Sequence, residues 1–514
     1  MRASLSLLLL TLCVSGGLAT SKLGEAIDAA LKGIKTSLNK HRLLAIREKI
    51  HAMKNEIVAE ITLSPEQQAV LEEKMQTITP IHKDHVNPEG DSINEINGRS
   101  EISELLYQGD IVLTDDQVEE VVEEVEGKSR GKRQAYRDRT YPNSLWSKGV
   151  TFSFGNASSK VQSVFKKGAM EWQRDTCINF YEGNAPERVE VIIEDGCWSY
   201  VGNLHKKQPL SLGRGCESVM VFFIQRETIT LFRNLREISN ASSLQIGTAA
   251  HEIGHALGLF HTHSRHDRDS FIQLNTQNIK PDWLDQFHKE TPSTNENYGI
   301  TYDYGSIMHY GASSATFNGK PSMVPFDTKY TETLGSPFVS FYELLMLNTH
   351  YGCLDKCKGQ ANRCKMGGFP HPRDCSKCIC PSGYGGQYCD QRPAGCGKVV
   401  SATPKYEILR DIIGDRSAGT TEREDFVKCN YWITAPAGKQ IDVRIVSFTK
   451  GVAVDGCSYA GVEIKTHKDQ RLTGYRFCAP EDAGITLRSS SNVVPVITYN
   501  RIYETETALA YRYA

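Results

Sequence analysis

Fifteen cysteines are spread over 514 residues so unevenly that their placement limits what the chain can fold into. Cys13 stands alone near the start, none follows until Cys177, and the other fourteen lie between there and Cys478. Six of these, Cys357, Cys364, Cys375, Cys378, Cys380 and Cys389, crowd a stretch too short to bury a core, which must therefore be stapled by disulfides. Cys396, Cys429, Cys457 and Cys478 sit instead among alternating apolar and polar residues ("KQIDVRIVSFTK", "GVEIKTH", "NVVPVITYN"), the pattern of an all-β sandwich. The stretch holding Cys177, Cys197, Cys216 and Cys353 is mixed, with helical spacing in "KVQSVFKKGAMEWQRDT" and a strand at "RVEVIIED", as an α+β domain requires. Three or four structural units are expected at this length.

At the amino terminus, Arg2 precedes an apolar run from Leu5 to Val14 and small residues through Ala19, the layout of a secretory signal cleaved after residue 19. Its removal takes Cys13 with it and leaves an even number of cysteines bound for an oxidising compartment, so disulfides are the default. A bilayer span needs about 20 apolar residues. Neither this run nor any later stretch is long enough, so a secreted, extracellular chain with no membrane span is expected. Lys and Arg (59) nearly balance Asp and Glu (61), which leaves no field to favour nucleic acid. Residues 20–133 lack cysteine, carry helical spacing and end in the acidic run "TDDQVEEVVEEVEGK" ahead of Arg130-Gly131-Lys132-Arg133. That tetrapeptide fits processing after Arg133, with Gln134 as the new amino terminus. The 20–133 stretch thus reads as a pro-peptide removed by an activating protease.

The densest chemistry lies in "HEIGHALGLFH", His251 to His261. On a helix, His251 and His255 stand one turn apart on one face and can reach one ion. Gly258 can adopt the left-handed conformation that ends the helix and turns His261 back as a third ligand. Three neutral nitrogens with an open position are the ligand set of a catalytic zinc, one Zn2+ per domain. Such an ion lowers the pKa of its water to roughly 7, with Glu252 placed to act as base toward that water and as acid toward the leaving amine of a peptide. His263 and His266 fall outside the pattern and are expected at the surface.

The run continues with Arg265 and Asp267-Arg268-Asp269, and "SIMHY" follows at Ser306–Tyr310. Together these motifs resemble the astacin family of metzincin proteases, and "LWSKGVTFSF", "GCWSYVG", "QPLSLGRGC" and "YGC" are similar to further landmarks of that family. The resemblance implies an α+β metzincin catalytic domain over 134–353, with Met308 in a methionine turn beneath the zinc and Tyr310 on the metal or the oxyanion. It also implies disulfides Cys177–Cys353 and Cys197–Cys216. "LYQGDIVLT" resembles the family's inhibitory motif, which would make Asp110 a zinc ligand that silences the zymogen. The six-cysteine stretch, 354–390, resembles an EGF-like domain; sequence alone permits 15 connectivities, and the resemblance implies Cys357–Cys375, Cys364–Cys378 and Cys380–Cys389. Residues 396–514 resemble a CUB domain, with Cys396–Cys429 and Cys457–Cys478 implied. This order of domains resembles secreted nematode astacins. It implies a zymogen-activated zinc metalloendopeptidase acting on extracellular or matrix proteins, with a CUB domain that holds a matrix or protein ligand. The alternative is a catalytically impaired matrix-binding glycoprotein that acts through its EGF and CUB modules.

Three features depart from the family pattern. Thr262 stands where the family has the glutamate that contacts the mature amino terminus. Ala460 stands where many CUB domains carry a calcium-binding aspartate, so calcium is not expected there. Residues 220–245 add a stretch where the family has a short link, read either as a surface loop or as a translated intron. Asn156 and Asn240 head Asn-X-Ser sequons and are candidate glycosylation sites.

Overall fold

The structure, a computed structural model, describes residues 33–126, 135–136, 141–213, 216, 246–291 and 295–514. The signal segment with Cys13, the processing tetrapeptide with Gln134, the 220–245 stretch and Asn240 lie outside the described residues.

The amino-terminal segment is helical, with α1 (Lys40–Ala52), α2 (Lys54–Ile61), α3 (Pro65–Thr77), α4 (Ile93–Arg99) and α5 (Asp115–Val125). Its helices start where side chains satisfy orphan N–H groups: Asn39 caps α1, Ser64 and Gln67 form a capping box on α3 behind Pro65, and Thr114 and Gln117 do the same on α5. Between α4 and α5 the chain gives one short strand, β1 (Ile111–Val112).

That strand joins a sheet of the next unit. With β2 (Val150–Phe154), β3 (Phe180–Glu182), β4 (Arg188–Ile192), β5 (Cys197–Tyr200) and β6 (Lys207–Leu212), the order is β1-β5-β6-β4-β2-β3. Only the β5–β6 pair is antiparallel. Beside the sheet runs α6 (Ser159–Asp175), whose Val161, Val164, Phe165, Gly168, Ala169 and Trp172 form one buried stripe at helical spacing. It packs on α7 (Ile246–Ala256), the helix of the histidine motif, which is buried from Thr248 to Ala256. Gly168 sets the close approach: a Cβ there would meet the Cβ of Ala249 and the amide of Ala250 at 3.0 Å. The indoles of Trp172 and Trp146 donate to the carbonyls of Ala250 and Ala256, each at 2.9 Å. A further helix, α8 (Phe341–His350), closes the unit near Cys353, which is bonded to Cys177. Cys197 is bonded to Cys216.

The six-cysteine stretch carries a two-stranded hairpin, Phe369–His371 with Asp374–Ile379, and the bonds Cys357–Cys375, Cys364–Cys378 and Cys380–Cys389. After it come β7 (Val399–Ser401), β8 (Glu407–Gly414), β9 (Val427–Thr434), β10 (Ile441–Phe448), β11 (Ala460–Ile464), β12 (Tyr475–Phe477), β13 (Thr486–Arg488), β14 (Val493–Asn500) and β15 (Glu504–Tyr513). They form two sheets, β7-β9-β14-β11-β12 and β8-β15-β10-β13, with Cys396–Cys429 and Cys457–Cys478 as their disulfides. Alternation does the sorting, since Ile433, Val462, Val496, Val443, Ile445 and Leu509 from both sheets share one interior. That core does not stop at the sandwich. It runs on through stacked Tyr475, Tyr330 and Tyr304, with ring centroids 4.2 and 4.4 Å apart, into the unit that carries the histidines.

Candidate metal centre

Helix α7 ends as the glycine requires. Gly258 adopts φ +98°, its N–H bonds the carbonyl of His255 at 2.8 Å, and the chain reverses to bring His261 back over His251 and His255. The three Nε2 atoms converge: His255 lies 3.1 Å and His261 3.3 Å from His251. Each ring is oriented by an oxygen on its other nitrogen, with Nδ1 of His251 2.7 Å from the Ile307 carbonyl, Nδ1 of His255 2.7 Å from the Leu259 carbonyl, and Nδ1 of His261 2.8 Å from Oε1 of Gln108. Carbonyl and amide oxygens only accept, so Nδ1 carries the proton in all three rings, and three lone pairs face one another. Burial lowers the pKa of His255 and brings that of His261 down to about 4, which favours the neutral, ligating form.

Three facing lone pairs need a cation among them, and a tetrahedral zinc with nitrogens ~2.0–2.1 Å away has ligand edges of roughly 3.3 Å. The nitrogen spacings therefore fit zinc. The fourth group is Asp110. Its Oδ2 lies 3.2 Å from Nε2 of both His251 and His261, and its Oδ1 lies 3.6 Å from Nε2 of His255.

Asp110 is delivered by backbone. Strand β1 begins at the next residue and pairs with β5, Ile111 opposite Ser199, and the Ser199 amide donates to the Asp110 carbonyl at 3.1 Å. Gln108 and Gly109 have φ of +50° and +91°, and a Cβ on Gly109 would meet Trp283 at 3.1 Å and the Tyr310 hydroxyl at 3.2 Å. Only glycine suits that position. The buried Asn97 amide brackets the turn from the other side, donating to the carbonyls of Gly109 and Cys197 and accepting from the Cys197 amide. The Gln108 amide donates to Oε1 of Gln286 at 2.6 Å. Farther off, Arg47 of α1 grips buried Asp285 with two hydrogen bonds, and His51 adds a third contact.

Glu252 projects from α7 beside this cluster and is fully buried. Neither of its carboxylate oxygens has a hydrogen-bond partner among the described residues. Burial, then the charge of Asp110, raises its carboxyl well above the usual range. The Tyr310 hydroxyl lies 2.5 Å from the Gln108 carbonyl and 2.9 Å from Oδ2 of Asp110, two acceptors that share its one proton. Met308 is buried beneath α7, where a Cβ on Gly254 would meet its sulfur at 2.7 Å.

Thr262 is buried and its hydroxyl lies 2.6 Å from that of Ser306, which in turn donates to Glu343. Glu343 also accepts from the Met308 amide at 3.1 Å, so Thr262 ties the histidine loop to the turn that carries Met308. Arg265 chelates Asp267 and donates to the carbonyls of Ile300 and Thr301, while Arg268 donates to those of His263 and Phe287. His263, expected at the surface, is instead buried: its ring stacks against both His261 and Tyr310 with centroids 4.9 and 4.7 Å away. The loop after His261 turns inward under the arginine pairs, and spacing alone does not reveal that. His266 is half-buried and bonds the Asn297 amide. Asn97, Gln286 and Asp285 also carry the site and had no sequence signal, because their partners lie more than a hundred residues away or on main-chain atoms, and Gln108 sits within the motif of Asp110 but nothing in it pointed to His261. Asn156 is exposed, with its amide engaged by the backbone of Ile193.

The family model for astacin, a peptidase family, matches residues 138–229 and 236–352. Zinc metalloproteinase nas-31 of Caenorhabditis elegans is 45% identical over 455 residues, which is 87% of this chain and 68% of that protein. Zinc metalloproteinase nas-32 of the same organism is 35% identical over 433 residues, 83% of this chain and 61% of its own length. Among solved structures, high choriolytic enzyme 1 of Oryzias latipes, a hatching enzyme zinc-protease, is similar over 42% of this chain and 94% of its own, at 25% identity and a TM-score of 0.33.

Proposed function

The chain belongs to the astacin family of peptidases, and from that premise we propose that it is a secreted zinc endopeptidase made as a latent precursor. The observation that carries the reading is the meeting of three proton-oriented histidines with a buried, unpartnered glutamate on one helix. His251, His255 and His261 would hold one zinc ion. Zinc in this place supplies Lewis acidity toward a water and a peptide carbonyl.

The protein's own groups do the rest. Glu252 takes the proton of the attacking water and later passes it to the amine nitrogen as the C–N bond breaks. Tyr310, whose hydroxyl now points at Asp110 and the Gln108 carbonyl, donates to the developing oxyanion once that segment has left. Met308, Ser306, Thr262 and Glu343 hold the floor on which Tyr310 sits. Asp110 fills the open position with a carboxylate, which keeps water and substrate out until processing between Arg133 and Gln134 frees residues 20–133.

In this reading residues 1–19 are the signal, 134–353 the catalytic domain, 354–390 an EGF-like module and 396–514 a CUB domain. Extracellular or matrix proteins are the substrate class. Asn156 and Asn240 are the glycosylation sites. The seven disulfides and the lack of any described helix long and apolar enough to cross a membrane agree with an extracellular setting. A non-catalytic scaffold would have no need to keep Glu252 and all three histidines in register.

Metal content tests the proposal directly. The processed chain is expected to hold one zinc, to lose peptide hydrolysis on chelation and to regain it with zinc. His255→Ala should lose both metal and activity. A processed chain that hydrolyses peptides without zinc, or that holds zinc and is unaffected by a chelator, would refute it.

A further inference from the structure

Away from the metal centre, a cavity of about 590 Å³ opens where three parts of the chain meet. Residues from Met75 to Lys83 of the amino-terminal segment form one wall, Ser313 and Glu332 of the histidine-bearing unit another, and Asp455 and Asp482 of the sandwich the third. Lys83 reaches into it. Its ammonium pairs with Glu332 and, at 3.0 Å, with Oδ1 of Asp455. Glu332 and Asp482 are buried, and only 13% of the Asp455 side chain is exposed.

The segment is also held by its main chain. The Asp84 amide donates to the Ala453 carbonyl at 2.7 Å, and the Ala453 amide returns a bond to the Asp84 carboxylate at 2.9 Å. Tyr459 of the sandwich then donates to Asp91 at 2.7 Å. From Asp91 to Asn94 the chain borders a smaller cleft that is also lined by His251, Tyr310 and Ser458. One polypeptide path thus joins the Lys83 site to the metal centre, and the sandwich forms its outer wall. That wall stands close because Gly311, next to Tyr310, carries no side chain: a Cβ there would meet the Asp455 Cβ at 2.5 Å.

We propose that Glu332, Asp455 and Asp482 form an acidic subsite, shared by the catalytic unit and the sandwich, that takes a lysine or arginine side chain of a protein substrate once Lys83 has left. The inference rests on the latent-protease reading above. Departure of Lys83 leaves buried carboxylates without the cation they now hold, a costly state that an incoming cation relieves. Asp482 already shows the strain, because burial and then the charge of Glu332 push its carboxyl up to about 7 even with Lys83 present. The occupant seen is an amine on a non-helical stretch of polypeptide gripped by side chain and main chain together, so the matching ligand is a basic residue in a peptide. The site would select substrates with a basic residue at a set distance from the bond to be cut.

The test uses the full chain recovered in its processed form and a peptide library from a digested proteome. Cleaved peptides are expected to show lysine or arginine enriched about fivefold or more at one fixed distance from the scissile bond, with the enrichment lost in Glu332→Gln and in Asp482→Asn. Peptides without basic residues should be cut equally well by all three proteins. The absence of an enriched position in the parent, or its persistence in both variants, would overturn the subsite. So would calcium binding by the processed parent that Glu332→Gln abolishes, since the carboxylates would then belong to a metal ion. If the parent cuts nothing, the protease reading fails instead. The subsite is then read from a synthetic peptide of residues 78–91, which should bind about tenfold more tightly than its Lys83→Gln form; equal binding would overturn it.

Discussion

The amino-terminal segment meets two sites with opposite charges. At the histidines it offers a carboxylate, Asp110, to three imidazoles, and in the cavity beside the sandwich it offers an ammonium, Lys83, to two carboxylates, Glu332 and Asp455. The first plug is rigid, set by a sheet register and by a glycine whose φ and surroundings admit no other residue. The second is a single lysine side chain beside a cavity of about 590 Å³. A rigid plug suits a site with one geometry to block. A single charged side chain beside open space suits, on the proposed reading, a site that later takes a basic residue of a substrate.

That contrast can be broken at its stronger end. In a full chain whose basic tetrapeptide is altered to prevent processing, Asp110→Ala should raise peptide hydrolysis about tenfold or more over the same unprocessed parent, because the carboxylate is the group in the open position. Unchanged silence would mean that the surrounding segment, not Asp110, does the blocking. Tyr310→Phe sharpens the same end. In the processed enzyme it should lower kcat by roughly 10- to 100-fold with KM little altered, since the hydroxyl acts on charge that develops in the transition state.

At the weaker end, Lys83→Met in the unprocessed chain removes a cation from buried carboxylates. It should lower thermal stability by on the order of 1–3 kcal/mol, and the loss should vanish after processing. The smallest effect concerns pH. Asp482 binds its proton up to about pH 7 when folded, whereas an unfolded aspartate releases it near 4. Its contribution is therefore fully present below about pH 4 and is lost as pH rises to 7. The difference in melting temperature between Asp482→Asn and the parent should accordingly be larger at pH 8 than at pH 5, in favour of the variant. A constant difference would place Asp482 outside the carboxylate cluster.

How far such contacts can be read ahead of a structure depends on their range. Two histidines one helical turn apart and a glycine three residues on are local geometry, and the structure brings His251, His255 and His261 together with Gly258 at positive φ. Alternating residues after Cys396 were likewise enough for a β sandwich, because the strand period is local. Contacts across the chain were legible where a motif carried them, as for Asp110 and the cysteine pairs, and not elsewhere. Nothing near Gln108 says that it orients His261, nor does anything near Lys83 point to Glu332 and Asp455 hundreds of residues away. His263 shows the same limit at short range. Its burial depends on Arg265 and Arg268 folding the loop inward, which no periodicity encodes.

One measurement tests the centre of the account most directly: hydrolysis of a mixed peptide library by processed and unprocessed chains, each as parent and as Glu252→Ala, with zinc content measured alongside. The account predicts that processed parent and processed Glu252→Ala hold equal zinc, that only the processed parent cleaves, and that the variant loses about 10³-fold or more. Comparable cleavage by Glu252→Ala, or by the unprocessed parent, would contradict it.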